Sequence, residues 1–144
     1  MINADNEYED DYSSCETTYA TLRIFSDDIE PSSITDIMGI KPSEILNAGE
    51  KNSKNSDGVH KINSWFLSSE HRINSKDSRR HIDWIIDQIK GKDEKLKELQ
   101  NRNVLMDIFC FWSATGLSGG PIISTFQMRE LSRLNIELMF DFYN

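Results

Sequence analysis

The chain has little of what most readily betrays a function. Among its 144 residues there are two cysteines, three histidines and three prolines. Cys15 and Cys110 stand in no CxxC or metal-ligand spacing, and one disulfide between a tail and a core strand would be unusual, so reduced thiols in the cytoplasm are the expectation. His60, His71 and His81 form no HxxxH or HExxH pattern, so no metal and no cofactor is expected, and ordinary surface or loop histidines are the preferred reading. The longest apolar run, Ile108 to Trp112, is far too short for a bilayer, and the opening MINADNEYEDDYSS has no apolar core of a leader. Neither membrane insertion nor signal-directed export is therefore expected.

An excess of positive charge is also missing. There are 24 acidic against 16 basic residues, a formal charge of −8, which argues against nucleic acid and favours a basic protein partner. The acidity is unevenly placed. Residues 1–16 hold six acids and no base, leaving 18 acids against 16 bases in residues 17–144. Such a run repels itself and buries nothing, so residues 1–16 read as a mobile acidic tail, either solvating or reaching for a basic partner. Residues 17–144 read as a single domain, large enough to bury about two thirds of its unfolded surface without a metal or disulfide.

What the chain does have is periodic hydrophobicity. Thr17 to Phe25 reads as a strand; Pro31 with Ile34, Ile37 and Met38 opens a helix that Gly39 stops. Residues Lys41 to Gly58 read as loop, and Val59 to Leu67 as a second strand. Ile82, Ile85, Ile86 and Ile89 mark a helix from about residue 77, with a short charged helix over Asp93 to Gln100. Val104 to Trp112 is apolar on both faces, as in a central strand. After the Gly116 to Pro121 loop, Ser124 and Gln127 form a capping box, Ile123 and Met128 fit a hydrophobic staple, and Met128, Leu131 and Leu134 line a last helix. Ile136 to Tyr143 closes the chain as a strand. The first and last strand–helix units agree in phase, Ile34-x-x-Ile37-Met38-Gly39-Ile40 against Leu131-x-x-Leu134-Asn135-Ile136. The fold expected is α+β, a ferredoxin-like two-layer sandwich whose mixed or antiparallel sheet carries its helices mainly on one face; a small open α/β sheet is the alternative.

In order along the chain stand Asp28-Ile29-Glu30-Pro31 with Ile34 and Gly39-Ile40, the Lys41-Pro42 turn, and Gly49 before a strand with Trp65 and Ser68-Ser69. Then come the strand ending in Cys110, Gly119-Gly120, Ser124, Leu131, and Ile136 to Tyr143 with Asp141. This order resembles a family of small bacterial proteins, the domain of unknown function 4279, over about residues 17–144. The resemblance implies a compact α+β domain and brings no reaction and no catalytic residues with it.

No catalytic constellation is expected. Cys110 reads as an inert core thiol, and the glycine loop lacks the lysine of a phosphate-binding loop. Asp107 stands inside the most apolar strand and needs a partner, Arg23 or Tyr143, or an outlet to solvent. Arg23, Asp107, Glu137, Asp141 and Tyr143 each lie on the more polar side of their strands and are the expected protein-binding residues, with Phe109 or Phe111 exposed beside them. Two non-enzymatic functions fit. One is a bacterial immunity protein that neutralises a cognate basic toxin by direct binding; the other is a small-ligand-binding or regulatory domain with a groove near Trp65 and Trp112.

Overall fold

A computed structural model describes residues 7–50 and 61–144. Val59 and His60, and residues 51–58 of the loop read over Lys41 to Gly58, lie outside the described residues. The elements run β1 (Cys15–Ser26), α1 (Pro31–Met38), β2 (Glu44–Leu46), β3 (Asn63–Ser68), α2 (Ser78–Gln88), α3 (Asp93–Gln100), β4 (Leu105–Ala114), α4 (Thr125–Arg133) and β5 (Glu137–Tyr143).

The protein is a mixed α+β domain with one five-stranded sheet in the order β2-β3-β1-β4-β5. β1 pairs antiparallel with β3 and β4, β2 pairs antiparallel with β3, and β4 and β5 are parallel. The parallel pair follows from the crossover through α4, since parallel neighbours cannot be joined by a hairpin. One face of the sheet is the core face. Ala20, Leu22 and Ile24 of β1, Trp65 and Leu67 of β3, Ile108 of β4 and Ile136 before β5 join one cluster with buried residues of all four helices.

The local signals explain the helices. Pro31 occupies the first turn of α1, where its missing N–H leaves no bond unmade, and Gly39 ends that helix at φ 66°, where a side chain would be strained. Asp77 caps α2 by accepting from the Arg79 amide at 3.0 Å. Ser124 and Gln127 form the capping box of α4. The face of α4 differs from the reading of sequence: Leu131 and Leu134 are buried, but Met128 is 51% exposed and the fully buried residue is Gln127. Its amide reaches the Arg79 carbonyl and Asp83 at 2.8 Å each, so a satisfied polar side chain takes the place expected for an apolar one.

The stretch read as a mobile tail is tied down where it is described. Asp10 accepts from Arg80 at 2.8 and 3.1 Å and from Ser75 at 2.6 Å, the Lys76 amide donates to the Asp10 carbonyl, and the Glu9 amide donates to Asp77 at 2.7 Å. Ser14 donates to the Ser118 carbonyl, and Tyr12 and Ser14 press so closely on Gly119 that a Cβ there would lie 2.5 Å from the Tyr12 hydroxyl. Arg80 of α2 neutralises Asp10, and the backbone bonds to Lys76 and Asp77 hold the segment in place despite the remaining acids on whose self-repulsion the tail reading rested. Cys15, placed in that tail by sequence, is wholly buried at the start of β1.

Candidate functional site

The second face of the sheet carries the alternate residues of each strand, and none of them belongs to the core cluster. Strand register fixes what meets there. One row runs Arg23, Asp107, Glu137; the next, Thr21, Phe109, Met139; the next, Tyr19, Phe111, Asp141; and Ser113 pairs with Tyr143 beyond it. All five residues singled out from sequence thus share one face, because each has the same parity along its strand.

At the centre Arg23 donates to both carboxylate oxygens of Asp107, from Nε at 2.7 Å and from Nη2 at 2.6 Å. The side chains are 23% and 21% exposed, so the pair is half-sheltered and its bidentate geometry holds both charges rigid. The sequence requirement that Asp107 find a partner is met by Arg23 and not by Tyr143. The guanidinium also lies over the rings of Phe109 and Phe25, 4.6 and 5.3 Å from their centroids. Phe25 meets Phe66 of β3 edge-on.

Further along the face the rings continue. Tyr19 stacks on Phe111 with centroids 5.0 Å apart, and Tyr143 leans on the other side of Phe111 at the same distance. Partial burial, followed by the nearby Glu70 and Asp141 charges, pushes the Tyr19 hydroxyl above its ordinary pKa, so it stays a neutral donor. Tyr19, Phe25 and Phe66 extend the surface beyond the residues read from sequence. Their signal was available: each stands one residue from a core position in a strand, which sends it to the opposite face.

Charge on this face is unbalanced. Arg23 is held by Asp107, whereas Glu137 and Asp141 have no ion-pair partner among the described residues. The face is therefore a sheet of aromatic rings with two unneutralised acids along one border. Its residues offer stacking, apolar contact and cation recognition, and they assemble no nucleophile with a base.

The expected groove near the tryptophans does not form. Trp65 is wholly buried in the core with Nε1 donating to Thr35 at 3.0 Å, and Trp112 is 3% exposed against Phe142. Both were sent inward by strand parity. Cys110 is buried as expected, and burial pushes its thiol up to about 11, as it does that of Cys15. His81, expected at the surface, is 1% exposed. Its Nε2 lies 2.8 Å from the Ser75 carbonyl, which can only accept, so that nitrogen carries the proton and Nδ1 accepts from the Ser69 hydroxyl at 2.7 Å. Ser69 in turn accepts from the Ala20 amide. With Ser69 and His81 both buried, this Ser–His pair is a joint between β1, the end of β3 and α2. His71 is exposed, and His60 lies outside the described residues. No group of three His, Cys, Asp or Glu side chains suited to a metal occurs among the described residues, and no described helix is long and apolar enough to cross a membrane.

A protein-family model, "Domain of unknown function (DUF4279)", matches residues 16–144. The chain belongs to the DUF4279 family. No curated protein and no solved structure matches the chain. The DUF4279 match begins at the second residue of β1, so residues 7–15, which fasten to α2 and the glycine loop, lie outside the match.

Proposed function

We propose that this DUF4279 protein is a non-enzymatic protein-binding module of the cytoplasm, a bacterial immunity protein that neutralises a cognate toxin by docking it on the open sheet face. The observation that carries this reading is that face itself: a central bidentate ion pair amid aromatic rings, with two acids that have no ion-pair partner among the described residues. Aromatic residues and arginine dominate binding energy where proteins meet, and unneutralised acids favour a basic partner and speed its arrival. The fold that goes with it is a ferredoxin-like two-layer core, β1-α1-β2-β3-α2-β4, extended by α3 and by α4 and β5. The sheet order β2-β3-β1-β4 with every pair antiparallel supports this.

The test is co-expression with the product of an adjacent toxin reading frame. The expected result is co-purification that weakens with salt, rescue of cells from the toxin, and loss of both in a Glu137→Lys/Asp141→Lys variant whose circular dichroism is unchanged. A toxin that acts unhindered beside the intact protein sinks the reading.

A small-ligand function keeps one supporting observation. A cavity of about 520 Å³ opens where Arg23, Phe25, Leu105, Asp107 and Glu137 approach Gln100 and Asn135, a volume within the range of small-molecule sites. A metabolite that raises the melting temperature and is displaced by Leu105→Trp would favour it.

A further inference from the structure

The acids left unneutralised on the open face both sit on β5, the border strand of the sheet. β5 pairs with β4 on one side and with no strand among the described residues on the other, so its outer N–H and C=O groups can template another strand. Glu137, Met139 and Asp141 occupy the open face along it, which sets the two carboxylates about 13 Å apart at four residues of strand rise. The cation of Glu137's own row, Arg23, is already held by Asp107. Between the acids Met139 is 51% exposed, and Phe142 and Tyr143 beyond them are 60% and 53% exposed.

We infer that β5 is a strand-addition edge whose occupant is an extended segment of another protein with cationic side chains at positions i and i+4 and an apolar one at i+2. This rests on the protein-binding reading and names the partner segment that reading requires. Backbone pairing supplies affinity of low selectivity. The two ion pairs set the register, because a slip of one residue turns both cations to the other face. A second copy of this chain fits poorly. Antiparallel pairing of two β5 strands about Met139 sets Glu137 of each copy opposite Asp141 of the other, and like charges directly opposite one another destabilise a ladder.

The experiment titrates the full-length, isotope-labelled protein with three capped peptides. The first is Thr-Lys-Val-Ile-Val-Lys-Thr, the second has Glu for both Lys, and the third keeps Lys but is N-methylated at alternate residues. The first should shift the amides of residues 137–143 and slow their hydrogen exchange, and the Glu peptide should bind about tenfold more weakly at low salt. The methylated peptide should not bind, and Glu137→Lys/Asp141→Lys should reverse the preference between the first two. Equal affinity for the Lys and Glu peptides overturns the inference, as does the absence of binding at about 1 mM of the first peptide. Binding of the methylated peptide, with shifts at Tyr19 and Phe111 in place of β5, overturns the edge and leaves the face as the docking surface. A dimer of the free protein that Asp141→Lys alone abolishes would assign the edge to a second copy and overturn it too. Because no toxin enters the titration, failure of the edge and failure of the immunity reading are separate results.

Discussion

Asp107 shows how one residue's chemistry propagates. A carboxylate in an apolar strand must be paired, and β1 supplies Arg23 directly across the ladder. Removing the cation leaves a half-sheltered charge unpartnered, so Arg23→Ala should cost about 1–3 kcal/mol, read as a lower urea midpoint with an unchanged slope. In a double-mutant cycle with Asp107→Ala the two losses should fall short of additive. His81 gives a prediction in pH. Burial holds its imidazole below the ordinary value of 6.5, and the neutral ring is the form that both accepts from Ser69 and donates to Ser75. As pH falls through the unfolded value the unfolded chain binds a proton that the folded chain refuses, so stability is full above that value and declines below it. The urea midpoint should therefore drop between about pH 7.5 and 5.5, and His81→Gln, less stable at the upper pH, should flatten that part of the profile. Asp77 works in a separate window. Burial alone would raise its pKa, but Arg79 and the Glu9 amide outweigh it and hold the carboxyl below 3.8, so its contribution is lost only in stronger acid. The partner of Asp107 was legible in sequence because an unpaired acid in a strand is a contradiction that few residues can resolve. The burial of His81 was not read, although Ser78, His81, Ile82, Ile85 and Ile86 follow one helical stripe, because a histidine by itself signals neither inside nor outside.

Among the elements, those with a local cause stood where the sequence placed them. α3 coincides with the charged helix read over Asp93 to Gln100, and α4 begins at the capping box. β2 did not show, because three residues with Ile45 40% exposed carry no alternation and exist only by pairing with β3. The same limit hid Gln127, whose cap was readable but whose side chain also ties α4 to α2. Ser124→Ala removes only the cap and should cost about 1 kcal/mol. Gln127→Ala strips the Asp83 carboxylate and the part-buried Arg79 carbonyl of a donor as well, and should cost about 2–3 kcal/mol. Hydrogen exchange separates the two, since the first should loosen only the opening turn of α4 and the second the whole contact between α2 and α4.

For the molecule as a whole, strand parity settles which surface is offered outward, and the N-terminal segment settles where the net charge lies. Parity was legible from the alternation of β4 and β5. The docking of residues 7–14 was not, because the Glu7 carbonyl, the Glu9 amide and the Asp10 carboxylate are tied to Arg79, Asp77 and Arg80 some 70 positions away, pairings that no local pattern announces. Those ties turn the acidic stretch into a strap across α2. Tyr8 donates to Asp83 and lies under Arg80, and burial together with that bond pushes its hydroxyl up to about 12. Deleting residues 1–11 removes five acids and no base, and so takes the formal charge from −8 to −3. If the acidic stretch were the arm that seizes a basic partner, its loss would slow association and flatten the salt dependence. If it is a strap, the loss falls on the fold: about 2 kcal/mol of stability, concentrated at the α2 entry where Asp77 forfeits the Glu9 amide and Arg80 its carboxylate. The expected outcome is the second, a lower urea midpoint with the Lys peptide still bound within about twofold of the intact protein, because Glu137 and Asp141 remain where β4 holds them.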